Sequence, residues 1–264
     1  MPFGIAEEKL ARDVGFHNYT KVQRGIMPSS TARWPVVTRG NRYQMRPASA
    51  DDRLDLAAFI EANLPLASVP SIPKVRLHVA TPRSGLYRLA MADDSDLMPP
   101  YWAYPWAGGA VLAHYLFDHP EEVAGKRVVD LGTGSGLVAI AAMKCGAAQV
   151  LAIDIDAKAI AAARLNAHAN DVKIETRLGD IIEDEPPEAD MILAGDVFYD
   201  EALAERVLAF LERCLAAGLD VLIGDPGRAP LPATSLEKIA EYPVPDFGGP
   251  AQGTAANSAV FRLR

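Results

Sequence analysis

The residues of this chain whose types and spacing could do chemistry begin with the stretch VVDLGTGSG, Val128 to Gly136. Two β-branched residues run into Asp130, glycines follow at 132, 134 and 136, and an apolar run from Leu137 to Met143 comes next. That order describes a strand, a tight turn and a helix. A turn without Cβ atoms lets the backbone approach a ligand closely. Asp154 closes a second apolar run, VLAIDI. In a doubly wound sheet this position brings a carboxylate to the same crevice, where it can accept from two ribose hydroxyls at once. The alternative is a helix N-cap, a role for which Asp156 is better placed. Asp180 follows Gly179 at the end of a third run. It can accept from an exocyclic amine of adenine, with Leu178 or Ile181 against the ring, or it can cap a turn.

A fourth run, MILAGD, leads into Asp196, Val197, Phe198 and Tyr199. The carboxyl end of this central strand is where a reacting group faces its acceptor. Asp196 and Tyr199 then lie beside the acceptor while Phe198 lines a channel; a purely structural Asp196 capping the next helix is equally consistent with the local sequence. Asp225 to Arg228 is a turn by composition on the same sheet edge, from which Arg228 could reach an acidic group on a partner or lie in solvent. The five histidines show no metal-ligand spacing, so no metal is expected. Ser135 sits inside the glycine turn, which leaves no place for a nucleophile elbow. A nicotinamide-type G-x-G-x-x-G needs glycine where this chain has Leu137, and that argues against an oxidoreductase.

The elements that must position these residues follow from hydrophobic periodicity. Strands are expected at 127–132, 149–154, 173–178, 190–195 and 219–224, and helices at 135–145, 156–169 and 200–217. The last carries Leu203, Val207, Leu211 and Leu215 at four-residue spacing. This βαβ alternation implies an α/β fold, a parallel sheet covered by helices on both faces. Upstream, Asp51 to Asn63 reads as a helix, the segment with Pro65, Pro70 and Pro73 as too broken for one, and Lys74 to Thr81 as a half-buried strand. Trp102, Tyr104 and Trp106 pack in a core or wall a ligand. Thr234 to Tyr242 reads as a further helix and Ala259 to Leu263 as a strand. Three units result: 1–50, a tail; 51–120, a preface with an aromatic lid; and 121–264, the ligand-binding domain.

The chain has 264 residues, half of them hydrophobic, and a net charge of -8. Residues 1–50 hold eight Lys/Arg against three acids, which leaves 18 against 31 for the remainder, from totals of 26 and 34. That acidic remainder disfavours nucleic acid and anionic membranes and suits a basic partner or a lysine-bearing substrate. Residues 1–50 lack apolar periodicity and read as disordered; a targeting peptide, or a start at Met45, are the alternatives. Cys145 and Cys214 read as buried thiols rather than a disulfide.

The pattern acid-x-Gly-x-Gly-x-Gly resembles motif I of the class I S-adenosylmethionine (SAM) methyltransferases. The segments PYWAYPWAGG, DLGTGSGLVAIAA, AIDID, GDVFYD and LIGDPGRAPLP together resemble the electron transfer flavoprotein β-subunit lysine methyltransferases, seven-stranded enzymes marked by Asp-x-x-Tyr, here Asp196 to Tyr199. The resemblance covers about 50–264. A neighbouring family, which modifies lysines of a ribosomal protein, shares motif I but typically carries Asn-Pro where this chain has Gly195-Asp196. The resemblance implies a Rossmann-like sheet of order 3-2-1-4-5-7-6 with the seventh strand antiparallel. It implies SAM held through Asp130, Gly132, Gly134, Asp154 and Asp180, with Trp106 and Asp196 near the cofactor, and Asp196 and Tyr199 as catalytic residues. It further implies that the product is N-methylated lysine on a protein substrate, the flavoprotein β-subunit; a monomer rather than an oligomer is expected. The expected location is the cytoplasm of a bacterium, or the mitochondrial matrix in a eukaryote. A ribosomal-protein acceptor and a non-catalytic SAM-binding partner are the competing readings.

Overall fold

The computed structural model describes residues 55–92, 99–246 and 255–264. Residues 1–50, read above as disordered, lie outside the described residues. Helix α1 (Leu56–Asn63) begins at Asp55, whose carboxylate accepts from the Ala58 N–H at 3.2 Å, and buries Phe59 and Ile60. The proline-spaced segment after it forms a hairpin, β1 (Leu66–Val69) antiparallel to β2 (Ile72–His78), in which Val75 and Leu77 are buried between exposed Lys74 and Arg76. A short helix α2 (Tyr87–Ala92) and a 3₁₀ turn at Tyr101–Ala103 lead to α3 (Ala107–Asp118).

Alternation then becomes regular: β3 (Arg127–Leu131), α4 (Leu137–Lys144), β4 (Gln149–Asp154), α5 (Ala157–Ala169), β5 (Glu175–Leu178), β6 (Met191–Gly195), α6 (Glu201–Ala216), β7 (Asp220–Asp225), β8 (Leu236–Pro245) and β9 (Ala255–Leu263). The seven-stranded sheet runs β5-β4-β3-β6-β7-β9-β8, with β9 antiparallel to both neighbours. Renumbered within the sheet, this is the expected order 3-2-1-4-5-7-6. The period of two in the strands divides the core. Val128, Leu193 and Leu222 face α3 and α4, whereas Val129, Ile192 and Val221 face α6. Along α6, Val207, Phe210, Leu211 and Cys214 are buried, with Leu203 and Leu215 at the margin. Both cysteines are free and buried.

One expectation is corrected. Thr234 to Tyr242 is not a helix: after a 3₁₀ turn, β8 forms the sheet edge. A register shift between Lys238 and Ala240 breaks the period-two pattern, so that Leu236, Ile239 and Ala240 fall at helix-like spacing. Pro243 and Pro245 fit because an edge strand leaves one side unpaired.

The small N-terminal elements are fastened to the Rossmann-like body by two buried asparagines on α5. Asn170 accepts from the Arg76 N–H at 2.9 Å and donates to the Arg76 carbonyl at 2.6 Å, so it pairs with β2 as a strand residue would. Asn166 accepts from the His78 N–H at 2.7 Å and donates to the Ser135 carbonyl at 2.8 Å. Through Asn166 the hairpin is tied directly to the glycine turn.

Candidate active site at the carboxyl edge of the sheet

The glycine turn after β3 has positive φ at all three glycines, 67°, 51° and 83°. Their roles differ. A Cβ on Gly136 would lie 3.0 Å from the Ala163 Cα, so this glycine lets α4 and α5 approach. A Cβ on Gly134 would meet nothing nearer than 3.9 Å, so the space over it is open. Gly136 has no side chain to cap α4, and Asp130 does that work from below: its Oδ2 accepts from the Thr133 hydroxyl at 2.6 Å and the Ala139 N–H at 3.1 Å. Burial pushes the Asp130 carboxyl up to about 7, against the opposing effect of those two hydrogen bonds.

Asp154 ends β4 with both oxygens aimed at turns. Oδ2 accepts from the Gly134 N–H and Oδ1 from the Asp156 N–H, each at 2.9 Å. Asp156 is the residue that caps α5, accepting from the Lys158 N–H at 2.7 Å. An ionised carboxylate has about four acceptor positions, so Asp154 keeps capacity for further donors. Asp180 is more committed: Oδ1 accepts from the Ile182 N–H at 3.0 Å and Oδ2 pairs with Arg206 at 3.2 Å. Of the two apolar neighbours named for it, Ile181 is buried in the core, whereas Leu178 is exposed. Ile155, Tyr101 and Tyr199 are exposed as well, so four of the large exposed hydrophobics border this one crevice.

The aromatic segment divides between the two roles open to it. Trp102 and Tyr104 are buried against α1 and α5. Tyr101 turns outward, its ring 5.7 Å from that of Trp106 and 6.0 Å from that of Tyr199, and its carbonyl accepts from the Trp106 indole at 2.7 Å.

Asp196 stands at the end of β6 with φ of 59°, a left-handed conformation that Asp adopts more readily than most residues. Its N–H donates to the Gly224 carbonyl at 3.0 Å. One carboxylate oxygen, Oδ2, accepts from the Gly108 N–H in the first turn of α3, where the helix leaves its N–H groups free and favours an anion. The other, Oδ1, accepts from Arg228 Nε at 2.6 Å and Nη2 at 2.5 Å. Contrary to both sequence readings of Arg228, it neither lies in solvent nor reaches out to a partner; it is turned inward on Asp196, with Asp246 3.6 Å away and the Trp106 ring 5.9 Å below. Burial pushes the Asp196 carboxyl up, opposed by Arg228 and the Gly108 N–H. Burial would lower Arg228, but Asp196 and Asp246 outweigh it and hold the guanidinium above its ordinary value.

Three features escaped the sequence reading. The first turn of α3 lies directly on Gly195 and Gly224: a Cβ on Gly224 would be 2.1 Å from the Gly108 carbonyl oxygen, and one on Gly195 2.7 Å from the Gly109 Cα. Asp225 is fully buried; its Oδ1 accepts from the Gly227 and Arg228 N–H groups at 2.7 Å, which aims Arg228 at Asp196. Asp246 closes the cluster from the end of β8. The Asp-Pro-Gly turn chemistry could have revealed the role of Asp225, but no local signal marks the other two.

A seven-stranded sheet in this order, with a glycine turn after its first parallel strand and an acid ending the second, defines a class I methyltransferase, and that class implies use of SAM. Comparison with known proteins agrees. A family profile described as ribosomal protein L11 methyltransferase (PrmA) matches residues 116–214. The electron transfer flavoprotein beta subunit lysine methyltransferase of Rattus norvegicus is 39% identical over 220 residues, covering 79% of this chain and 84% of its own. That of Danio rerio is 37% identical over 231 residues, covering 84% and 87%. The ribosomal protein L11 methyltransferase of Symbiobacterium thermophilum is 51% identical over 71 residues, but these cover only 27% of this chain and 23% of its own. This chain belongs to the electron transfer flavoprotein beta subunit lysine methyltransferase family.

Proposed function

We propose that this protein uses SAM to methylate a lysine side chain on the β-subunit of electron transfer flavoprotein. The observation that carries the reading is the match to the rat enzyme over 84% of that enzyme's length. The likeness to the L11 enzymes covers less of the chain, residues 116–214 for the family profile and 27% and 48% of the chain for two such enzymes, and it speaks for a shared cofactor more than a shared acceptor.

The residues present fit SAM. Gly134 leaves room over the turn, which Asp130 braces, and Asp154 has acceptor capacity for ribose hydroxyls. Exposed Ile155 and Leu178 offer apolar surface to an adenine, with Asp180 at the rim for its amine. Trp106 and Asp196 close the far end, where SAM supplies a methyl group on a sulfonium. The acceptor nitrogen attacks only with its lone pair free, and deprotonating a lysine at pH 7 costs about 4–5 kcal/mol. Asp196 and Tyr199 are the catalytic residues: the carboxylate orients the amine, and the phenol, half-exposed beside Tyr101, holds it by a hydrogen bond.

The test is mass spectrometry of recombinant flavoprotein β-subunit incubated with this protein and SAM, beside a ribosomal L11 control. Gains of one to three methylene masses on a β-subunit lysine support the proposal. Gains on the control alone would replace the acceptor, and SAM binding without any transfer would remove the activity.

A further inference from the structure

Around Asp196 the structure holds a cluster that reaches beyond cofactor binding. The guanidinium of Arg228 lies against two carboxylates, Asp196 and Asp246, while a third, Asp225, holds its backbone N–H. An incoming lysine could meet this cluster in two ways. It could arrive as an ammonium and take Oδ1 of Asp196 from Arg228, or it could take the acceptor position left on Oδ2 beside the Gly108 N–H.

The anchoring of Arg228 decides between them. Its side chain is 19% exposed and gives both Nε and Nη2 to Asp196 Oδ1; its backbone N–H is held by Asp225; and its guanidinium lies over Trp106. Uncovering a buried, multiply bonded charge costs more than one ammonium hydrogen bond returns. Arg228 therefore stays, and the lysine meets a carboxylate whose charge is already partly offset.

We infer that Arg228 is a positioning residue that eases formation of the neutral, nucleophilic amine from a lysine seated on Asp196, relative to a bare carboxylate, an inference that rests on the lysine acceptor proposed above. An amine bonded to Oδ2 stands about 5 Å from the guanidinium on Oδ1. The Asp196 carboxylate in contact favours the ammonium; relative to that bare carboxylate, one positive charge at about 5 Å, at an effective dielectric near 20, moves the amine's titration down by roughly two pH units. The proton that lysine loses goes to bulk water, and the lone pair it leaves would form the new C–N bond as the methyl's bond to the sulfonium sulfur breaks and its electron pair stays with the sulfur. The other titratable groups near the seat are Asp225 and Asp246, which act on Arg228, and Tyr199, on which Tyr101, Asp154 and Asp200 act in turn. The first turn of α3 contributes N–H groups and no acidic side chain. Among these groups, Arg228 alone is a cation bonded to Asp196.

The experiment compares the full-length wild type with Arg228→Met and Arg228→Lys, acting on flavoprotein β-subunit with SAM from about pH 6 to about pH 10. With Arg228→Met, the rising limb of kcat, which titrates the amine bound in the seat, should move up by about one to two pH units. The deficit should be at least tenfold near neutrality and shrink to about threefold at the alkaline end. KM for the β-subunit should stay level or fall, because a bare Asp196 holds the ammonium. Arg228→Lys keeps the charge and should keep the limb within about half a unit of wild type. A readout without turnover is titration calorimetry of β-subunit into enzyme with S-adenosylhomocysteine, in buffers of different ionisation heat. Wild type should release more of a proton per lysine bound than Arg228→Met does.

A deficit that is the same factor at every pH, with unchanged proton release, would make Arg228 a structural brace and overturn the inference while the function stands. Should Arg228→Met not fold, a limb displaced in Arg228→Lys as far as two units would overturn it equally. A wild type that leaves the β-subunit unmodified would overturn the acceptor assignment, and this inference with it.

Discussion

Replacing Asp196 by Asn separates the electrostatics of the site from its backbone. Asn accepts a φ of 59° as readily as Asp, so the substitution adds no conformational strain. It keeps one side-chain oxygen for Arg228 or for the Gly108 N–H but not for both, and it removes the charge. Removing one partner of a buried ion pair costs about 3–5 kcal/mol. The surviving amide oxygen, and Asp246 at 3.6 Å from Arg228, recover part of that, which leaves about 2–3 kcal/mol. For a protein of this size, roughly 2–4 °C is lost per kcal/mol, so the melting temperature should fall by about 5–10 °C. Turnover on the β-subunit should fall by at least two orders of magnitude, because the amine loses its anchor and Arg228 is left to point at it. SAM affinity should stay within about fivefold, since the glycine turn and Asp154 are untouched. Calorimetric melting at pH 7.5 with and without SAM, SAM titration and single-turnover methylation measure all three. A melting temperature unchanged within a degree, with turnover retained, would refute both the buried pair and the role of Asp196.

Other outcomes follow from the same geometry. Gly224→Ala places a Cβ 2.1 Å from the Gly108 carbonyl and 2.8 Å from the Leu112 Cβ, so α3 must shift; we expect a loss of about 1–3 kcal/mol by denaturant titration and a steeper loss of turnover. Asn166→Ala leaves the His78 N–H and the Ser135 carbonyl without their partner, and should cost about 2–3 kcal/mol and weaken SAM binding through the glycine turn, as melting and SAM titration would show. Burial raises Asp130 to about 7 and Asp225 to about 6, both above the unfolded 3.8. A raised carboxyl favours folding below its unfolded pKa and loses that advantage as pH rises through its folded pKa. Melting temperature should therefore decline between about pH 4 and 7, and Asp225→Asn should flatten the part of that decline below about pH 6.

Much of the sheet was legible because its strands are buried on alternating faces. Runs such as VVDL and MILAG carry their own period, and Asp156 and the glycines carry their own turn chemistry. The edge was less legible: a bulge in β8 shifts the pattern by one residue, and a single residue is enough to imitate a helix. The aromatic segment shows the same limit. Trp102 and Tyr101 are neighbours of similar type, yet one is core and the other borders the crevice, because which side of a 3₁₀ turn meets α5 depends on where α5 has packed.

By itself the sequence determined the alternation of helices with parallel strands, the glycine turn and the carboxylates at strand ends, since each depends on residue type and local spacing, while the strand order came from the family resemblance. Only the tertiary structure decided what Asp196 touches. Its partners Gly108 and Arg228 lie 88 residues before and 32 residues after it in the chain. They meet because three glycines let the first turn of α3 settle on the ends of β6 and β7, while an Asx turn at Asp225 aims Arg228 inward. Contacts of that sequence separation follow from packing, which no local pattern of residues encodes.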